Sequence, residues 1–146
     1  MKKVSWVMFV ILAVGTGYLF FGCGETEDEA GDGGAAPQIS DLTFDKSEFD
    51  YEEVKGKFLT LNGKFNFSDK DGDASEAEIT VTNPLNASQT LPRITVQGIS
   101  GVTSGPVLFI VQLLPDIAGE WAISVVLYDK KENVSNKLEA KIKIME

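Results

Sequence analysis

The chain has 146 residues, and its 22 Asp and Glu against 13 Lys and Arg give a formal net charge of −9. It contains no His and one Cys, which excludes a Ser-His-Asp or Cys-His catalytic apparatus, His-ligated zinc or haem, an internal disulfide and a cysteine-cluster metal site. The acidic balance argues against nucleic acid as a partner, whereas 43% apolar residues suffice for the core of one domain.

An apolar run opens the chain. Lys2 and Lys3 precede it, no acidic residue occurs before Glu25, and the run ends at Cys23. A basic start, an apolar stretch and a small residue before a cut site are typical of a secretory signal. The placement of the cysteine resembles the signal of bacterial lipoproteins, in which this Cys becomes the first mature residue. That resemblance implies a signal helix over residues 1–22, palmitate or another acyl chain on Cys23, and a lipid-anchored protein of the cell envelope.

Two positions depart from that signal. Phe20 stands where Leu is favoured and Phe21 where a small residue is usual, while Gly22 fits. The alternative is an uncleaved membrane helix over residues 4–22, since roughly 18 to 20 apolar residues cross a bilayer. Both alternatives place the rest of the chain outside the cytoplasmic membrane. By the same resemblance, Gly24 in place of an Asp favours the outer over the inner membrane.

Residues 23–37 are predicted to form a disordered tether. After Cys23 the segment contains acidic residues, glycines and alanines, with no basic and no large apolar side chain. Such a composition cannot bury apolar surface. About fourteen flexible residues span roughly 20 Å on average, so the segment spaces a domain from the membrane surface.

From residue 38 onward the apolar residues recur with period two, which predicts strands and no helix. About seven short strands separated by turn clusters are typical of an antiparallel sandwich, and they exclude parallel α/β folds with their cofactor crevices. The strands are predicted around residues 42–44, 59–67, 79–81, 94–96, 107–113, 121–128 and 138–144.

Side-chain parity assigns the faces of two of these strands. Trp121 has the parity of Ile123 and Val125, so we expect it in the core rather than on the surface as a sugar-stacking platform. Leu108 and Ile110 lie opposite the presumed core face. Either they form an exposed apolar patch for a partner, or a neighbouring loop covers them.

The segment Gly119–Asp129, followed by Asn133–Asn136, resembles the last two strands of bacterial Ig-like domains. The segment Phe65–Asp73 is similar to their second strand and the following loop. The resemblance covers roughly residues 38–146 and implies an Ig-like β-sandwich, a scaffold that serves adhesion, spacing and ligand binding alike. Glu132 stands where the family turn usually has Gly, so a less tight turn is expected there.

Asp69, Asp71 and Asp73 are the one constellation with metal chemistry. Carboxylates at alternate positions around Gly72 suit calcium, which prefers hard oxygen ligands. The spacing does not fit an EF-hand: a loop starting at Phe67 would place Ser75 and Glu78 at ligand positions but has Phe at the first one. The alternative is a solvated acidic turn in which the carboxylates cap their own backbone.

An acidic run of six residues is expected to lie on a solvated face. They are Asp41, Asp45, Glu48, Asp50, Glu52 and Glu53. Paired carboxylates can hydrolyse glycosides, but a sandwich this small offers little cleft, so no catalytic residue is assigned and a small hydrolase is the remote alternative. Calcium is the one candidate cofactor. We therefore expect a binding or adhesion module at the cell envelope, or a structural accessory subunit of an envelope complex. Its expected partners are the membrane, through the lipid, and an envelope protein or polysaccharide.

Overall fold

The computed structural model of the chain describes residues 10–13 and 34–146. Within these ranges the backbone forms ten strands and one short helix. The strands are β1 (Val10–Ala13), β2 (Gln38–Phe44), β3 (Glu48–Asp50), β4 (Leu59–Ser68), β5 (Ala74–Thr82), β6 (Ser88–Thr90), β7 (Ile94–Thr95), β8 (Ser104–Leu113), β9 (Gly119–Asp129) and β10 (Leu138–Met145), and the helix α1 spans Tyr51–Val54.

The strands form two sheets. One has the order β1-β8-β4-β2, and the other has the order β3-β10-β9-β5-β6, with β7 also pairing with β5. All described pairs are antiparallel except β3 with β10, which is parallel. The first, second and fifth strands of an Ig domain share one sheet and the third, sixth and seventh share the other; β2, β4 and β8 against β5, β9 and β10 reproduce this division. The predicted all-β, Ig-like antiparallel sandwich is confirmed.

The core lies between the two sheets and follows the predicted alternation. Trp121, Ile123, Phe65 and Phe109 are almost completely buried, and the Trp121 Nε1–H donates to the Ile117 carbonyl oxygen at 3.3 Å. The prediction that Trp121 is a core residue is therefore confirmed. Every buried apolar side chain among the described residues lies between Ile39 and Ile144. The described core therefore belongs to the two sheets of residues 38–146, with Pro37 buried directly before β2.

Strand β2 differs from its predicted pattern. Its buried residue is Ile39, whereas Leu42 and Phe44 are only partly buried. Asp41 has a φ of 57°, and the pairing with β4 shifts between Ser40 and Thr43. This bulge changes the parity of the strand, so that Ile39 is buried and the predicted Leu42 and Phe44 also pack against the core.

The acidic run contains elements that the sequence pattern does not reveal. Strand β3 and helix α1 lie in it, and the Asp50 side chain caps the helix by accepting from the Glu52 N–H at 2.9 Å. Phe49 and Val54 anchor this segment in the core. The six acids themselves are exposed, as expected for a solvated face.

Four residues of the predicted signal helix are described, and they form a strand. Val10–Ala13 pair antiparallel with residues 108–111 of β8. An apolar and partly β-branched segment is also suited to a strand. Here β8 supplies the backbone hydrogen bonds that a membrane helix would make internally. The rest of residues 1–33 lies outside the described part of the chain. Within the described ranges, no helix has the length and apolar character to cross a membrane.

Candidate functional site

Three chain segments meet at one end of the sandwich. They are the β4–β5 loop (residues 69–73), the segment before β8 (residues 99–103) and the β9–β10 turn (residues 129–133). The Asp69 N–H donates to the Thr103 carbonyl at 2.7 Å, and the Gly101 N–H donates to the Gly72 carbonyl at 2.8 Å. The Lys130 N–H donates to the Asp73 carbonyl at 3.0 Å. Backbone hydrogen bonds therefore fix the acidic β4–β5 loop against both neighbours.

Asp69 shapes the β4–β5 loop from inside. Its side chain is buried; Oδ1 accepts from the Asp71 N–H at 3.2 Å and Oδ2 from the Ala74 N–H at 2.6 Å. Gly72 has a φ of 66°, in the left-handed region that favours glycine, and an added Cβ there would lie 3.4 Å from the Gly101 carbonyl carbon. Asp69 therefore caps the backbone of its own loop, as the alternative of an acidic turn predicts.

The three predicted carboxylates come together. One oxygen from each of Asp69, Asp71 and Asp73 lies within 4.8 Å of the others. Asp73 Oδ1 is inaccessible to solvent and accepts no hydrogen bond from the described residues. Burial, followed by the nearby charges of Asp129 and Asp69, raises the pKa of Asp73 above its usual value, although Lys131 partly offsets the rise.

Asp71 connects this cluster to the incoming chain. Its side chain is exposed, and Oδ2 accepts from the Ala35 N–H at 2.7 Å. Gly34 lies so close that an added Cβ would come within 2.8 Å of that oxygen and 3.1 Å of Lys131 Nζ. The carboxylate cluster therefore lies where the chain enters the domain from the predicted tether.

Asp129 also belongs to this acidic end, although it is not among the predicted site residues. It is buried at the end of β9, where Oδ1 accepts from the Lys131 and Asn133 N–H groups at 2.8 Å each. Its Oδ2 accepts from Asn133 Nδ2 at 2.7 Å. An Asp followed four residues later by Asn in a turn is the sequence signal that could have found it. The charge of Asp129 is one of the causes that raise the pKa of Asp73.

The turn after Asp129 is tight, contrary to the expectation from Glu132. Glu132 has a φ of 66°, the conformation that the family's glycine would adopt. The Asp129 N–H donates to the Asn133 carbonyl at 3.1 Å and closes the turn. Glu132 also forms an ion pair with Arg93, whose guanidinium lies 3.6 Å from the centre of the Tyr128 ring. Hydrogen bonds and this ion pair hold a non-glycine residue in the left-handed region.

The flanks of the acidic loop exclude an EF-hand, as expected. β4 and β5 precede and follow it, and both Ser75 and Glu78 belong to β5 rather than to a ligand loop.

The geometry of the cluster suits one hard cation. Two oxygens bound to the same ion can be separated by at most twice the metal–oxygen distance, which is about 5 Å for calcium. The separations within 4.8 Å meet this limit. The cluster provides three carboxylates, so water or further oxygen atoms would have to complete a calcium shell of six to eight ligands.

A second surface lies on the sheet with the order β1-β8-β4-β2. A groove of about 500 Å³ is lined by residues of β2, β4 and β8, among them Phe44, Lys64, Leu108 and Ile110. Leu108 is 42% exposed and Ile110 is half-buried. Leu108 is therefore exposed, as the alternative of an apolar surface patch predicts.

Comparisons with known proteins give likenesses in structure alone. No protein-family model and no curated protein matches the chain. The fibronectin(III)-like modules of Clostridium thermocellum CbhA align with a TM-score of 0.48 and 20% identity over 75% of this chain and 46% of theirs. The PKD domain of an M14-like peptidase from Thermoplasmatales archaeon SCGC AB-540-F20 aligns with a TM-score of 0.47 and 11% identity, over 77% of this chain and 99% of that domain.

A Bacteroides uniformis beta-glucuronidase aligns with a TM-score of 0.42 and 14% identity, over 75% of this chain and 13% of the enzyme. The chain spans less than half the length of the first of these matches and a small part of the third. These likenesses carry no information on ligand or activity. The strand arrangement itself makes residues 38–146 an Ig-like β-sandwich.

Proposed function

We propose that this protein is a non-catalytic, lipid-anchored binding module of the cell envelope, whose acidic loop binds calcium where the domain joins its tether. The observation that carries the proposal is the convergence of Asp69, Asp71 and Asp73 beside Ala35. A cation there would neutralise three clustered carboxylates and hold the domain to the start of its tether. In this proposal calcium orients the domain, and the loops at the opposite end bind an envelope protein or polysaccharide.

Asp73 supports the choice of a cation as the ligand. A buried carboxylate oxygen without a hydrogen bond, close to other carboxylates, is unfavourable in the ionised form. A divalent ion bound by this oxygen would supply both the missing partner and the missing positive charge. The oxygen-only donor set favours calcium over transition metals, which prefer imidazole or thiolate ligands.

Thermal unfolding tests the calcium proposal. We expect extracellular-grade affinity, with a dissociation constant on the order of 10⁻⁴ to 10⁻³ M. At about 100 times that constant the folded state gains about 2.7 kcal/mol, and each kcal/mol raises the melting temperature of a domain near this size by about 4–8 °C. Asp71→Ala should abolish the rise, whereas Asp116→Ala, an exposed acid in another loop, should retain it. Equal rises with calcium, magnesium and sodium chloride of matched ionic strength would show general screening instead.

The anchor proposal rests on Cys23, the single thiol of the chain, at the end of its apolar run. We expect mature protein from the cell envelope to begin at Cys23 and to carry acyl chains, which hold it stably in a bilayer when two or more are present. Mass spectrometry of the N-terminus checks this, with Cys23→Ala as the variant that should stay unprocessed. An intact Met1 with an unmodified Cys23 would contradict cleavage and favour the uncleaved membrane helix.

A structural accessory subunit is the second candidate, because Leu108 exposes an apolar side chain in the middle of a strand. The two candidates differ in where a partner would dock: a subunit would use the β8 side of the sandwich, and a ligand-binding module its loops. Isolation of the solubilised protein with its bound partners distinguishes the two candidates. Leu108→Lys should remove the partner of an accessory subunit and should leave the partner of a ligand-binding module bound.

A further inference from the structure

Strand β8 lies between β4 and β1 in the described sheet, and without β1 it would be an edge strand that lacks the protection edges usually have. Natural edges avoid pairing with other chains by being short, charged, bulged or covered. The other described edges conform: β3 has three residues, two of them acidic, β6 and β7 are short, and β2 carries a bulge. β8 has ten residues, pairs with β4 without a register shift, and contains no charged residue. The whole stretch between Arg93 and Asp116 is uncharged, although the chain is strongly acidic.

The backbone of β8 directs hydrogen-bonding groups to the side that β1 occupies. Pro106 has no N–H, so its pair with Asn66 of β4 cannot be a hydrogen-bonded pair. Because such pairs alternate along a regular antiparallel ladder, Leu108 and Ile110 also point their N–H and C=O groups away from β4. The structure seats β1 on this edge, with Leu12 opposite Phe109 and Ile11 opposite Ile110.

Under the proposed anchoring, export would remove β1 from β8. Residues 10–13 are lost if the signal is cleaved before Cys23, and they lie in the bilayer if it remains as an anchor. In neither case can they also pair with β8. The proposed anchoring enters the argument only through this removal.

We propose that in the exported protein the β8 edge pairs with β8 of a second copy, antiparallel and about a two-fold axis. A two-fold pairing of one strand with itself is necessarily antiparallel, so a second β8 makes the same type of pairing as β1 does. β8 shares the apolar, β-branched character of the segment that it accepts. Two acidic molecules can approach along this uncharged strand more easily than at their charged edges.

Sedimentation equilibrium of residues 24–146 tests the pairing, since this segment lacks both β1 and Cys23. We expect twice the mass of one chain at sub-millimolar concentration, and half that value for Leu108→Lys, which places a charge on the edge. Thr60→Lys introduces the same charge on the exposed face of the interior strand β4 and should remain dimeric. A monomeric wild-type domain, or a Leu108→Lys dimer, would overturn the proposal whether or not the anchor prediction holds.

Photo-crosslinking in intact cells identifies the occupant of the edge. A photoreactive residue at Gln112 of the full-length protein should yield a product of twice the mature mass. A product with a different envelope protein, or a crosslink to the chain's own residues 1–22, would show another occupant and would overturn the pairing of two copies.

Discussion

Asp73 is the residue at which the acidic loop is least satisfied. An aspartate whose pKa is raised on folding destabilises the folded state at pH values above that raised pKa. The penalty disappears as the pH falls through the raised pKa toward the ordinary value of 3.8. Without calcium, Asp73→Asn should therefore melt at a higher temperature than the wild type at pH 7, and the difference should shrink as the pH falls toward 4.

Melting curves in a chelating buffer between pH 4 and 7 measure this effect. Asp116→Asn is the matched control, because it removes one exposed charge outside the cluster and should leave the pH dependence unchanged. If Asp73→Asn melts at or below the wild-type temperature at pH 7, the unsatisfied carboxylate does not destabilise the fold.

Individual residues differ in how far the sequence could assign them. Parity along a strand was enough to place Trp121 in the core, because burial on one face follows the pleat. Alternate carboxylates around a glycine were enough to bring Asp69, Asp71 and Asp73 together. The effect of Asp129 on Asp73 was not predictable, because the two residues belong to loops that are far apart in the chain. The Ala35 contact has the same origin.

At the scale of elements, the β9–β10 turn holds Glu132 in a conformation that costs a non-glycine residue about 1–2 kcal/mol. Glu132→Gly and Glu132→Ala both remove the ion pair with Arg93, so that loss cancels between the two variants. We expect the Gly variant to be more stable than the Ala variant by about 1 kcal/mol, because only glycine adopts this φ without strain.

Chemical denaturation of the two variants provides the free energies of unfolding. Equal stabilities would mean that the turn relaxes out of the left-handed region, which is the looser turn that the sequence suggests.

Long strands were predictable and short ones were not. β4, β8, β9 and β10 alternate over many residues, so period two identifies them without ambiguity. β3 and β6 have three residues each, too few to show a period, and the bulge in β2 reverses its parity. The strand formed by residues 10–13 lay hidden because the same apolar residues also satisfy the requirements of a signal helix.

At the scale of the whole molecule, the fold assigns different tasks to different parts of the sandwich. The end bearing the carboxylates is also where Ala35 contacts the domain, so in the proposed function a cation there would act between the domain and its anchor. β8 lies next to β1 at the side of one sheet, and the proposed pairing with a second molecule would use the place that β1 occupies. Calcium binding and strand pairing can therefore occur in the same molecule without competing for residues.

A calcium titration of residues 24–146 followed by amide NMR tests the calcium site residue by residue, because each backbone N–H reports its own surroundings. We predict saturable shifts confined to the loop of residues 69–74 and to Ala35, with an apparent dissociation constant on the order of 10⁻⁴ to 10⁻³ M. Asp71→Ala should remove them. Shifts spread over all acidic surfaces, reproduced by magnesium or by sodium chloride of equal ionic strength, would contradict a calcium site at this end of the domain.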